Sequence, residues 1–278
     1  MEGILTAGAP GLTQRLLPCG ADGAPLLLCI HGGGCNGRYF DLPGFSFTRA
    51  ALARGFDVLL IDRPGYGGNA APMSASPIGE AADLLAPNLA ELLSSRSNPT
   101  LAVVGHSIGG AVALTLAAAR RVSIAAVAVS GIGRTLGDAA VGWLAERADA
   151  DPEPLPEFFF GPEGSYDWRG PTALRKAVEP WRRDEVIEVM VEWPRRFDRV
   201  AAAVTMPVLV GLAEHERIWR TGADELARVA ARFGHSPAVR GELLPDGGHL
   251  YEVHKRSAEL FALQLDFLSR FTQRVEEV

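Results

Sequence analysis

Five short apolar runs recur along the chain: Leu26–Ile30, Phe56–Ile61, Leu101–Val104, Ile124–Val129 and Val208–Leu212. Each is too short for a helix, is bounded by Gly, Pro or polar residues, and lacks the apolar–polar alternation of a half-solvated strand. Such runs predict strands covered on both faces, as in a central parallel sheet. Val239–Leu244 is a weaker, half-alternating member of the set. The intervening segments read as helices. Ile108–Ala119 is almost wholly small and apolar, while Ala81–Leu93 and Leu260–Phe271 carry apolar residues at three- and four-residue steps. Strand alternating with helix predicts a doubly wound, mostly parallel α/β sheet.

One interval breaks the alternation. From Arg134 to Ala203 no strand-like run occurs, and Trp143, Trp168, Trp181 and Trp193 fall there with Phe158, Phe159, Phe160 and Tyr166. This predicts a helical cap over residues 134–203, inserted after the sixth strand of a core formed by residues 1–133 and 204–278. Aromatics supply the apolar area of ligand pockets. Phe158, Phe159, Phe160, Trp168 and Trp181 are therefore candidate pocket residues, and the insert a candidate lid.

The stretch Leu101-Ala102-Val103-Val104-Gly105-His106-Ser107-Ile108-Gly109-Gly110-Ala111 holds G-x-S-x-G between an apolar strand and an Ala-rich helix. Reversing a chain from strand to helix in so few residues forces Ser107 into a strained conformation that exposes its hydroxyl. Gly105 and Gly109 fall where a Cβ would meet neighbouring backbone. The helix start behind Ser107 directs N–H groups and a positive dipole end at the same point. His106 should leave the turn on the opposite side, with a structural role.

On this motif the chain resembles the α/β-hydrolase family, in the Gly-His-Ser form of many esterases, lipases and thioesterases. The resemblance implies a nucleophile, an acid and a histidine base in that chain order. It assigns the nucleophile to Ser107. His31-Gly32-Gly33-Gly34 follows the Leu26–Ile30 strand, where the family places one donor of its oxyanion hole. The implied donors are the N–H groups of Gly33, with Gly34 as the alternative, and of Ile108. The segment lacks the Lys-Ser/Thr ending of a phosphate loop and the spacing of a dinucleotide-binding turn.

Chain order removes His31 as base. Of the later histidines, His249 sits in Pro245-Asp246-Gly247-Gly248-His249 after the last strand candidate. Two glycines let that loop turn the imidazole toward the carboxyl edge of the sheet, and the family often carries Gly-His there. His235 and His254 read as a helix-end and a surface-helix residue. The acid should follow the Val208–Leu212 strand, where Ala213-Glu214-His215-Glu216 aligns Glu216 with the usual Asp; Glu214 is the rival. Asp62-Arg63-Pro64-Gly65-Tyr66-Gly67-Gly68 matches a turn that is structural in the family.

The formal net charge is -6, with both signs mixed along the chain, which offers no electrostatic reason to bind nucleic acid or anionic lipid. No run approaches the roughly 20 apolar residues of a membrane span. Cys19, Cys29 and Cys35 form neither a metal-like spacing nor a CxxC pair. A cytoplasmic protein is expected, with no membrane or nucleic-acid partner and no metal or organic cofactor. Whether it is a monomer or a homodimer is left open. The expected activity is cleavage of an ester, thioester or lactone of a small, largely apolar molecule through an acyl-enzyme. The alternative is a lyase, cyclase or C–C bond-acting enzyme on the same site, because fold alone does not determine chemistry.

Overall fold

The computed structural model describes residues 4–6, 12–146, 156–166 and 168–272. Eight strands form the main sheet: β1 Ile4–Thr6, β2 Thr13–Leu17, β3 Leu26–Ile30, β4 Asp57–Asp62, β5 Leu101–His106, β6 Ala126–Ser130, β7 Val208–Ala213 and β8 Val239–Leu244. Their spatial order is β1-β2-β4-β3-β5-β6-β7-β8. β1 and β2 are antiparallel to their neighbours, and the other six are parallel. The apolar runs therefore became the parallel strands. The two antiparallel strands escape a search for apolar runs because they are short and carry polar residues such as Thr13, Gln14 and Arg15.

All five side chains of β3 are fully buried. Leu26, Leu28 and Ile30 pack on one face with helices α2 Pro77–Ser94 and α3 Ile108–Ala119. Leu27 and Cys29 pack on the other with α1 Phe47–Ala53 and α10 Ser257–Thr272. Each fully buried Leu or Ile contributes about 1.5–3 kcal/mol of transfer free energy. A strand sandwiched between helix layers thus favours apolar residues at every position.

Among the described residues, five helices lie between β6 and β7: α4 Asp138–Glu146, α5 Pro156–Phe160, α6 Arg169–Leu174, α7 Arg183–Ile187 and α8 Trp193–Ala203. α7 and α8 are joined by a π-helical turn, Glu188–Glu192. Pro194 follows at the start of α8 and has no N–H to donate, so the hydrogen-bond ladder widens there by one residue. The helix α9 Ala223–Ala230 then connects β7 to β8. Among the described residues no helix is long and apolar enough to cross a membrane.

Candidate active site

The strand-to-helix turn after β5 has the strain its sequence implies. Ser107 has φ 52 and ψ -121, a region that costs a non-glycine residue of order 1–3 kcal/mol. The turn persists because close packing leaves no alternative. A Cβ on Gly105 would lie 2.4 Å from the Gly109 carbonyl oxygen, and one on Gly109 would lie 2.1 Å from that of Ile30. The Ser107 N–H donates to the Ser130 carbonyl of the neighbouring strand at 2.8 Å, tying the turn to the sheet edge.

Ser107 Oγ lies 2.9 Å from His249 Nε2, and His249 Nδ1 lies 2.9 Å from Glu216 Oε2. A carboxylate only accepts, so the Nδ1 proton points at Glu216 and Nε2 is left to accept from the serine hydroxyl. His249 and Glu216 are both buried. The second Glu216 oxygen accepts from the Ile218 N–H at 2.9 Å, which fixes the carboxylate facing the ring. Glu214 is exposed and accepts from the Asp246 N–H at 3.0 Å. Of the two rivals, the structure brings only Glu216 to the histidine.

The loop after β3 crosses directly over the elbow. A Cβ on Gly32 would lie 3.3 Å from Ser107 Cβ, and one on Gly33 would lie 2.7 Å from Ile108 Cδ1. Among the described residues the N–H groups of Gly33 and Ile108 donate no hydrogen bond. Gly34 differs: its N–H donates to the Tyr66 hydroxyl at 3.1 Å. The alternative donor proposed from sequence is thus already engaged, and the free pair is Gly33 with Ile108.

Two apolar lobes meet at Ser107. The inner lobe holds about 50 Å³ and is lined by Ile108, Trp143, Phe158, Val189, Met190 and Trp219, among others. The outer lobe holds about 160 Å³ and is lined by Gly32–Gly34, Cys35, His106, Phe160, Leu174, Leu250 and His249. Phe159 and Trp181 border both and separate them. Among the described residues, no carboxylate, lysine or arginine lines either lobe. Of the five aromatics expected at the pocket, four are present and Trp168 is not. It is 74% exposed at the start of α6 and lines an outer groove with Phe45 and Lys176. Sequence distance within an aromatic-rich insert says nothing of the side that a helix end presents.

Several residues around the site had no sequence signal. His106 turns away from Ser107, as expected, and its Nδ1 lies 3.1 Å from the buried Glu252 carboxylate. Glu252 also accepts from Tyr39 at 2.9 Å and from Ser130. Burial alone would raise its pKa, but the facing His106 and the hydrogen bonds from His106 and Ser130 outweigh it and hold the carboxyl at about 2. His254, expected on a helix surface, is buried, and its Nε2 lies 2.6 Å from the Phe160 carbonyl. The chain folds into a 3₁₀ turn, Tyr251–Val253, before α10 begins, and that turn carries His254 inward. Burial holds its pKa below the ordinary value, outweighing its backbone hydrogen bonds. Cys35 lines the outer lobe, yet burial pushes its thiol up to about 12, so it is a filler there and a poor nucleophile.

Residues 27–263 match the alpha/beta hydrolase family. The chain belongs to that family. This α/β hydrolase is 30% identical over 239 residues to the dihydrolipoyllysine-residue acetyltransferase component of the acetoin cleaving system of Cupriavidus necator. That match covers 84% of the chain but 61% of the relative, so the chain spans about three fifths of that protein's length. Among solved structures, it is similar to a soluble variant of monoglyceride lipase from Saccharomyces cerevisiae. The TM-score is 0.74 at 15% identity, over 99% of this chain and 96% of that one. It is also similar to a thermophilic esterase from Thermogutta terrifontis, with a TM-score of 0.69 at 21% identity and 98% coverage of both chains. At these identities the likeness is one of fold.

Proposed function

We propose that this α/β hydrolase cleaves uncharged esters or thioesters through an acyl-enzyme on Ser107. The observation that carries the reading is the continuous Ser107–His249–Glu216 hydrogen-bond chain beside two unengaged N–H groups. Ser107 Oγ attacks the carbonyl carbon while its proton passes to His249 Nε2. The carbonyl oxygen takes the negative charge and accepts from Gly33 and Ile108. Collapse breaks the bond to the leaving oxygen or sulfur, which takes the proton back from His249. Water repeats the sequence and frees the acid. Glu216 stabilises the imidazolium that forms in each half.

The two lobes support an assignment of the substrate's two ends. The leaving group must receive its proton from His249, so it occupies the outer lobe, which His249 lines. The acyl chain occupies the inner lobe. A cavity of about 150 Å³ accommodates a benzene ring, so the outer lobe is ring-sized and the inner one takes a short chain. On this reading the helical insert acts as a lid, covering both lobes and excluding water. A matrix of acyl chain lengths against small and aromatic leaving groups tests the reading. Activity should peak at short apolar acyl chains on aromatic alcohols or thiols, and a preference for charged substrates would overturn it.

A second reading keeps the same acyl-enzyme but passes the acyl group to a thiol instead of water. The description of the Cupriavidus necator relative as an acetyltransferase component favours it. Adding a dithiol to a hydrolysis assay and separating the products tests it, because transfer would yield the acylated thiol in place of the free acid.

A further inference from the structure

The loop that carries Gly33 is held in place largely from outside itself, by Arg63 and Tyr66 of the turn after β4 and, directly or through them, by residues of the helical insert. Gly34, next to it, has φ 64. Its N–H donates to the Tyr66 hydroxyl at 3.1 Å, and that hydroxyl donates in turn to Glu185 Oε2 of α7 at 2.7 Å. Its carbonyl accepts from the Glu179 N–H at 2.9 Å. On the other side of Gly33, the carbonyls of His31 and Gly32 accept from the Arg63 guanidinium at 3.0 and 3.1 Å. Arg63 is fully buried and forms an ion pair with the same Glu185. One carboxylate of the insert thus anchors the loop on both flanks of Gly33, through two different side chains.

Chemistry favours this as positioning rather than as a substrate contact. Neither lobe beside Ser107 is lined by Glu185, Arg63 or Tyr66. Every polar atom of the Arg63–Glu185–Tyr66 group is used internally or on the loop, and burial makes each of those hydrogen bonds directional and costly to rearrange. A displacement of about 1 Å in a catalytic donor costs on the order of a hundredfold in rate, so a loop fixed in this way is a loop whose position matters. We propose that Glu185 is a positioning residue for the oxyanion hole, acting through Tyr66 and Arg63, so that the insert must be seated for the Gly33 N–H to be aimed at the carbonyl oxygen. This rests on the serine acyl-enzyme reading above. It makes the insert a structural part of the catalytic site as well as its cover.

The test compares two ligands that fill the lobes equally but load the oxyanion hole differently. An aryl trifluoromethyl ketone adds Ser107 Oγ to its carbonyl carbon, sends the serine proton to His249, and leaves an oxyanion facing Gly33 and Ile108. The matching methyl ketone binds without forming that adduct. In Glu185→Gln and in Tyr66→Phe, affinity for the trifluoromethyl ketone should fall by about tenfold or more, together with kcat. Methyl ketone affinity and KM should stay within about twofold of the wild type, a split expected when only transition-state contacts are lost. Glu188→Gln serves as the comparison. Glu188 also ties the insert to the core, through Ser76 and the Ile78 N–H at 2.8 Å, but away from the loop; both affinities should persist. If Glu185→Gln does not fold, Tyr66→Phe decides, since it removes a single oxygen. The proposal is overturned if both variants keep the trifluoromethyl ketone affinity, or lose both ligands equally. A wild-type protein that binds the two ketones alike would instead overturn the serine reading itself.

Discussion

Glu214 and Glu216 leave the end of β7 two residues apart, yet only Glu216 reaches His249. An extended chain alternates its side chains, so residues two apart would share a side; the turn after Ala213 separates them. Glu216 is buried at 2.9 Å from His249 Nδ1, while the exposed Glu214 caps the Asp246 N–H of the histidine loop. Glu216→Gln should therefore lower kcat by on the order of 10³–10⁴, because an amide can donate to the ring and stabilise the wrong tautomer. Glu214→Gln should leave kcat within about threefold, its lost hydrogen bond being solvent-exposed. Steady-state kinetics on one ester decides, and reversed effects would transfer the acid role to Glu214.

Strain at the nucleophile has a stability signature. Glycine adopts positive φ without the Cβ penalty, so Ser107→Gly should raise the unfolding free energy by about 1 kcal/mol while abolishing turnover. Ser107→Ala keeps the Cβ and should gain less. For a chain of this size 1 kcal/mol corresponds to a Tm increase of about 2–4 °C. Calorimetry on the three proteins checks the order Gly above Ala above wild type. A Ser107→Gly variant less stable than the wild type would show that the elbow stores no such strain.

Phe159 and Trp181 separate the two lobes. Trp181→Ala or Phe159→Ala should merge them and shift the optimum toward longer acyl chains, by about 0.8 kcal/mol of transition-state binding for each methylene newly accommodated. Trp168→Ala, on the outer groove, should leave the chain-length profile unaltered. A profile that moves with Trp168 but not with Trp181 would contradict this placement of the pocket.

Acid stability should fall in two stages. Burial, reinforced by the Arg63 charge, holds His31 well below its ordinary value of 6.5, and burial lowers His254 from the same value. The unfolded chain therefore takes up protons that the folded one refuses, and stability declines as pH drops below 6.5. Glu252 behaves as a carboxylate with a depressed pKa. Its contribution is complete above its ordinary 4.5 and is lost as pH falls toward about 2. Urea unfolding from pH 7 to 2 should show both stages, and Glu252→Gln should flatten the lower one. An undiminished lower stage in that variant would assign it to other carboxylates.

Much of this was legible from local pattern. The Leu101–Gly110 motif implied a strained serine between strand and helix, and Ser107 adopts it. The apolar runs located five of the six parallel strands because burial on both faces leaves a compositional trace, whereas the edge strand Val239–Leu244, buried only at Leu244, gave the weaker half-alternating pattern. Residues whose roles depend on distant partners left none. Glu185 meets Arg63 across 122 positions and Glu252 meets Ser130 across the same number, and neither glutamate differs locally from a surface residue. His254 looked exposed because its helical context suggested a continuous helix, whereas a 3₁₀ turn intervenes. Gly34 could not be separated from Gly33 without knowing that Tyr66 occupies its N–H.

The most direct test of the central claim is covalent. A fluorophosphonate probe reacts only with a serine whose proton can be removed in place and whose oxyanion is stabilised. Intact mass should show one probe per chain, peptide analysis should place it on Ser107, and Ser107→Ala should abolish both labelling and ester turnover, the latter by on the order of 10⁴-fold or more. Labelling at another serine, or turnover retained in Ser107→Ala, would contradict the Ser107–His249–Glu216 mechanism.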